Sequence, residues 1–154
     1  MQQGSSVIRA SDEMMCSLIR NAKQRVVFVA PGVTEQLANA LATAIQLLGG
    51  EAVNVIVDMD PEAYRLGYGT EAGLAAIAAA AQNSELRLWR EPGVRIGLLI
   101  ADDTTLVFAP TPELIESATE RPNQPNAVML GAPPAGMARD VGLGLQPDQE
   151  RSVG

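Results

Sequence analysis

Histidine is absent from the 154 residues, and cysteine occurs once, as Cys16. The first absence excludes Ser-His-Asp hydrolysis, histidine-ligated zinc and histidine phospho-transfer. The second excludes internal disulfides and cysteine metal clusters. With no imidazole to serve as its base, Cys16 reads as a buried, inert thiol on the first helix. Lysine is equally scarce: Lys23 stands alone among the basic residues, which are otherwise arginine. Eighteen acids against eleven bases give a net charge of −7. That balance disfavours nonspecific contact with nucleic acid or an anionic membrane, both of which need a positive surface. The longest apolar runs, such as Val26–Ala30 and Leu98–Ala101, fall far short of the ~20 residues that span a bilayer. The first ten residues lack a basic start followed by an apolar stretch. The expectation is a cytoplasmic protein with no membrane partner and no cofactor.

What is present is enough for a core. Hydrophobic residues make up 47% and charged residues 19%, which places the chain among globular domains rather than disordered tails. Ser11, followed by Asp12 and Glu13, is a helix start, and Met14, Leu18 and Ala22, with Met15 and Ile19 beside them, form its apolar stripe. Val26–Ala30 is a short β-branched run closed by Pro31-Gly32, a buried strand and turn. Thr34 caps a second helix whose buried face is Leu37, Leu41, Ile45 and Leu48, and Gly49-Gly50 stops it. Val53–Val57 is the next strand. Glu62–Arg65 suggests a turn of helix, and Glu71–Gln82 an alanine-rich one. Leu86–Arg90 and Val94–Ile100 flank the turn Glu91-Pro92-Gly93, and Asp102-Asp103-Thr104 turns the chain into Thr105–Ala109. Pro112–Ala118 could close with a short helix.

Continuous apolar strands separated by amphipathic helices point to a sheet covered on both faces, its strands mostly parallel and ending in antiparallel hairpins. Residues 1–118 read as this α/β domain. Residues 119–154, rich in proline and glycine, read as a linker or an arm laid over a partner. The chain ends without a closing element, as expected of an N-terminal domain of something longer.

The hairpin Val94-Arg95-Ile96-Gly97-Leu98-Leu99-Ile100-Ala101-Asp102 and the order of elements around it resemble the phospholipase D superfamily. Enzymes of that family carry H-x-K-x4-D on this hairpin, followed by G-S. In this register Arg95 stands where the histidine would be, Gly97 where the lysine would be and Asp102 where the aspartate would be. Ala109-Pro110 stands in the place of G-S. The resemblance covers residues 8–118 and implies a three-layer αβα sandwich with a mixed, mostly parallel sheet. It also implies pairing of two domains or two subunits, hence a homodimer or a partner domain. The departures remove the chemistry. A guanidinium stays protonated and cannot attack phosphorus, and Gly97 carries no charge. The expectation is a catalytically inactive domain with no catalytic residue, used for assembly or regulation.

Two other readings come from the residues themselves. Arg87, Trp89 and Arg95, with Asp102 retained beside them, could form a cationic, aromatic-edged pocket for a small anion such as phosphate or a carboxylate. There Gly97 would leave space beside Arg95. Asp58, Asp60 and Glu62 follow a strand end, where open α/β sheets bind ligands, and three carboxylates suit a divalent metal in an enzyme of another chemistry. The plainer readings are an aspartate-rich hairpin turn, surface salt bridges for the arginines, and Asp60 as a helix cap.

Overall fold

A computed structural model describes residues 6–58, 68–82, 87–90, 96–110 and 126–133. The chain begins with strand β1 (Ser6–Ile8) and helix α1 (Asp12–Arg20), followed by β2 (Val26–Ala30) and α2 (Glu35–Leu48). A 3-10 turn at Gly50–Ala52 leads into β3 (Val53–Val57). Then come α3 (Glu71–Gln82), β4 (Arg87–Arg90), β5 (Gly97–Ala101), β6 (Thr104–Phe108) and β7 (Ala127–Leu130).

The caps explain where the helices start. The Ser11 hydroxyl accepts from the Met14 amide at 3.2 Å, and the Thr34 hydroxyl accepts from the Leu37 amide at 3.3 Å. Each satisfies an amide that the first helical turn leaves free. Gly49, at φ +93°, ends α2, a conformation glycine adopts without penalty. α1 buries Met15, Cys16 and Ile19, while Met14, Leu18 and Ala22 pack at the margin of the core. Its buried face is thus rotated slightly from the expected stripe.

The seven strands form one sheet in the order β1-β7-β6-β5-β2-β3-β4. Only β2–β3 and β3–β4 run parallel. The other neighbours, β1–β7, β7–β6, β6–β5 and β5–β2, are antiparallel. The expectation of a mostly parallel sheet is therefore corrected: the α/β class and the mixed sheet stand, but antiparallel pairing predominates. The misreading has a physical source. β2 and β5 are buried along their whole length, and continuous apolar sequence reports burial on both faces, not strand direction.

A second correction concerns the segment expected to be an arm. Ala127–Leu130 lies within it and pairs with both β1 and β6, so these residues belong to the sheet. β1 was likewise not expected from sequence. The suggested helices at Glu62–Arg65 and Pro112–Ala118 lie outside the described residues.

α2 packs between α1 and α3. The three helices among the described residues cover one face, where Val26, Phe28, Ala30, Val53, Val55, Leu99 and Leu106 join Cys16, Ile19, Leu41 and Ile77 in the main core. Val27, Val29, Leu98 and Ile100 form a second buried cluster on the other face. Cross-strand register carries an apolar row along that face through Val7, Val128, Val107, Leu98, Val29 and Ile56. Thr105 lies on the same face, fully buried, and its hydroxyl has no hydrogen-bond partner among the described residues.

α3 approaches α2 closely because Gly73 has no side chain. A Cβ there would fall on the Val33 carbonyl. The Thr70 amide donates to that same carbonyl at 3.1 Å, and the Thr70 hydroxyl accepts from the Gly73 amide at 2.9 Å. The helix is thereby held by its first turn against the β2–α2 connection.

Candidate functional site

The two ends of β5 have different characters. At its start, Gly97 pairs across the hairpin with Phe108. A Cβ on Gly97 would overlap the Phe108 ring, so the ring lies directly over the glycine. Phe108 in turn meets Phe28, with ring centroids 6.4 Å apart and planes tilted by 30°. Phe108 thus fills the place where the phospholipase D register would put a lysine, with Phe28 packed against it. The open space expected beside Gly97 is taken. Arg95 lies outside the described residues.

At the other end, Asp102 and Asp103 make the two-residue β5–β6 loop. Asp102 has φ +54°, as the first residue of a primed hairpin turn requires, and aspartate tolerates this conformation better than most residues. The turn was legible in the sequence, but the partners of the carboxylate were not. It accepts from the backbone amides of three successive residues, Lys23 at 2.9 Å, Gln24 at 2.7 Å and Arg25 at 3.1 Å. The Asp102 amide donates to the Arg25 carbonyl at 3.0 Å, and the Arg25 Nε donates to the Asp102 carbonyl at 3.0 Å. A long contact of 3.8 Å joins Arg25 to Asp103. Burial pushes the Asp102 carboxyl up, but the three amides and the Arg25 charge outweigh it and hold the group below the usual carboxylate range. Asp102 therefore fastens the α1–β2 connection to the hairpin. Five residues of extended chain separate it from Gly97, roughly 16 Å at the strand rise.

Arg87 and Trp89 are placed on the edge strand β4, in register with Asn54 and Ile56 of β3. Three strands, β5, β2 and β3, separate them from β6 in the sheet order. Asp58 is buried just after β3, while Asp60 and Glu62 lie outside the described residues. Among the described residues, no group of three or more His, Cys, Asp or Glu side chains could hold a metal ion. Burial also pushes the Cys16 thiol up, with Arg20 opposing it, so the thiol is held protonated in the core. No helix among the described residues is long and apolar enough to cross a membrane.

A cleft of about 340 Å³ opens above Phe28 and Phe108. Its walls come from the β1–α1 loop, the start of α2, Tyr68-Gly69 and the end of β6. Two helix starts converge there: the Thr34 hydroxyl donates to Asp12 Oδ2 at 2.7 Å, tying the first turn of α1 to the cap of α2. Asn126 closes one side by bonding the backbone of Ala10 through both atoms of its amide. The sequence marks Ser11 and Thr34 as caps and Asp12 as an acidic residue suited to the positive end of the first helix. Their convergence depends on how α1 packs against α2, which no local pattern reports. Arg9 and Asn126 carried no sequence signal.

No family model matches the chain, and no curated protein matches it in sequence. Similarity appears at the level of fold. A polyphosphate kinase from Porphyromonas gingivalis shares 15% identity, with a TM-score of 0.52 over 90% of this chain and 24% of the kinase. TrmBL2, an archaeal chromatin protein described as showing a novel mode of DNA binding, shares 14% identity, with a TM-score of 0.50 over 84% of this chain and 45% of TrmBL2. The chain thus spans less than half the length of either structure, and at these identities the likeness is one of fold.

Proposed function

We propose that this chain is a phospholipase D-like domain that has lost phosphodiesterase chemistry and serves as an assembly or regulatory module. The observation that carries the loss of chemistry is the Phe108 ring over Gly97. In the family register the charge-stabilising lysine would rise from that position, and here an aromatic ring fills it. The absence of histidine removes the nucleophile as well. The module reading draws support from the two similar structures, both much longer chains in which this fold matches only a part. A homodimer, or docking onto a partner domain, follows from the same reading. DNA binding, the property described for TrmBL2, is disfavoured for this chain by its charge of −7 and single lysine.

Two measurements test the proposal. Purified protein is expected to leave bis-p-nitrophenyl phosphate intact. Turnover that disappears in Arg95→Ala or Asp102→Ala would overturn the inactive reading. Sedimentation velocity is expected to show a dimer of the full chain, and a monomer at every soluble concentration would remove the homodimer.

A further inference from the structure

The cleft over the two phenylalanines combines features that the assembly reading does not use. Its volume, about 340 Å³, lies within the range of small-molecule pockets, and an apolar floor with a few polar groups at the rim is their usual composition. Phe108 is the accessible aromatic side chain of the floor, Phe28 and Met15 being almost fully buried, and Arg9, Ser11 and Asp12 stand at the rim.

The rim groups have unused capacity. Arg9 is exposed, and among the described residues it makes no ion pair, either with Asp12 or with any other carboxylate. It precedes the Ser11 cap by two residues, next to the positive end of α1, where a cation is unfavourable unless an anion joins it. Asp12 is held by the Thr34 hydroxyl through Oδ2, and among the described residues Oδ1 takes no hydrogen bond. A simple anion attracted by Arg9 would meet the Asp12 carboxylate, and a simple cation attracted by Asp12 would meet Arg9. A ligand that carries both charges satisfies both groups. The guanidinium fork fits a carboxylate in particular.

We infer that the cleft binds a small zwitterion, an α-amino acid with an apolar side chain. Its carboxylate lies on Arg9, its ammonium donates to Asp12 Oδ1, and its side chain rests on the Phe108 ring. This goes beyond the assembly reading and does not depend on it, since a phosphodiesterase assay reads neither Arg9 nor Asp12.

Thermal melting of the full chain tests it, with leucine, methionine and phenylalanine as probes. Each probe is compared with 4-methylpentanoic acid, isoamylamine and inorganic phosphate. At about 10 mM, at least one amino acid is expected to raise the melting temperature by roughly 2 °C or more. The acid without the amine, the amine without the acid, and phosphate are expected to leave it unchanged. Arg9→Gln should melt like the parent protein without ligand, because Arg9 is exposed and forms no ion pair among the described residues, and should lose the shift. Asp12→Asn keeps an acceptor for Thr34 and should also lose it. The inference is overturned if no amino acid shifts the melt, if the shift survives in Arg9→Gln, or if phosphate or the plain acid shifts it equally.

Discussion

Asn126 and Ala10 are joined by two hydrogen bonds across 116 residues of sequence: the Ala10 amide donates to Asn126 Oδ1 at 2.7 Å, and Asn126 Nδ2 donates to the Ala10 carbonyl at 3.3 Å. The Asn126 backbone adds two more, donating to the Ile8 carbonyl at 3.0 Å and accepting from the Ala109 amide at 2.9 Å. One residue thus locks β1, β6 and β7 together beside the cleft. Ala10 is 4% exposed, so its backbone has little access to replacement water. Asn126→Ala is expected to cost about 2–4 kcal/mol, as two buried backbone groups lose their partners. Asn126→Asp keeps the acceptor but sets a carboxylate against the Ala10 carbonyl, and should also destabilise near neutral pH. Urea denaturation measures both, and a loss below about 0.5 kcal/mol in Asn126→Ala would show that the pair is not holding the strands.

Asp102 does two separable things, and three substitutions separate them. Its positive φ favours glycine, asparagine or aspartate, and its carboxylate binds the amides of residues 23–25. Asp102→Gly keeps the backbone conformation and loses the acceptor. Asp102→Asn keeps the conformation and one acceptor oxygen. Asp102→Ala loses the acceptor and adds about 1 kcal/mol of backbone strain. The expected order of stability is wild type, then Asn, then Gly, then Ala. Chemical denaturation with a common m-value checks it, and equal stability of Gly and Ala would remove strain from the account.

The same carboxylate sets a direction for acid sensitivity. Its folded pKa is lowered, so the unfolded chain takes up the proton first as pH falls. The contribution of Asp102 is then complete above its unfolded value of about 3.9 and is lost as pH drops through the lower folded value. The stability difference between wild type and Asp102→Asn should be constant above about pH 5 and shrink below about pH 4. A difference that grows on acidification would contradict the sign of the shift.

Thr105 offers a substitution expected to stabilise. Its hydroxyl is fully buried on the second face without a partner among the described residues, and Ile100, its cross-strand neighbour, is apolar. Thr105→Val preserves shape and removes an unsatisfied group, and should raise stability by about 1 kcal/mol. An unchanged or lower melting temperature would mean that the hydroxyl is satisfied in solution.

Sequence patterns were informative where the physics is local. Val26–Ala30, Val53–Val57 and Glu71–Gln82 have the bounds expected from their apolar runs, and Ser11 and Thr34 cap the helices they were expected to cap. Pairing direction was not legible, because β2 meets β5 antiparallel through contacts more than 60 residues apart in sequence. β7 was obscured by its surroundings: Ala127–Leu130 is a four-residue apolar run, but the prolines at 122, 125, 133 and 134 outweighed it. The cleft was hidden for a related reason. Arg9, Asp12, Thr34 and Asn126 have ordinary local roles and acquire a joint one only when α1, α2 and the β6–β7 end are packed together.

Gly97 and Phe108 bear most directly on the proposed loss of chemistry, and a double-mutant cycle reads their coupling. A ring laid across a glycine on the neighbouring strand covers backbone that would otherwise be bare. Gly97→Ala places a methyl group into that ring and should cost about 1–3 kcal/mol through overpacking. Phe108→Leu removes the ring, loses the contact with Phe28 and is destabilising by itself. In the Phe108→Leu background, Gly97→Ala should be nearly neutral, because the methyl group enters the space the ring has left. The expected interaction energy is at least about 1 kcal/mol, above the ~0.5 kcal/mol error of additivity. Additive losses would show that the ring does not fill the space above Gly97. A side chain as long as lysine could then be accommodated there, and the main structural argument against phosphodiesterase chemistry at this hairpin would fall.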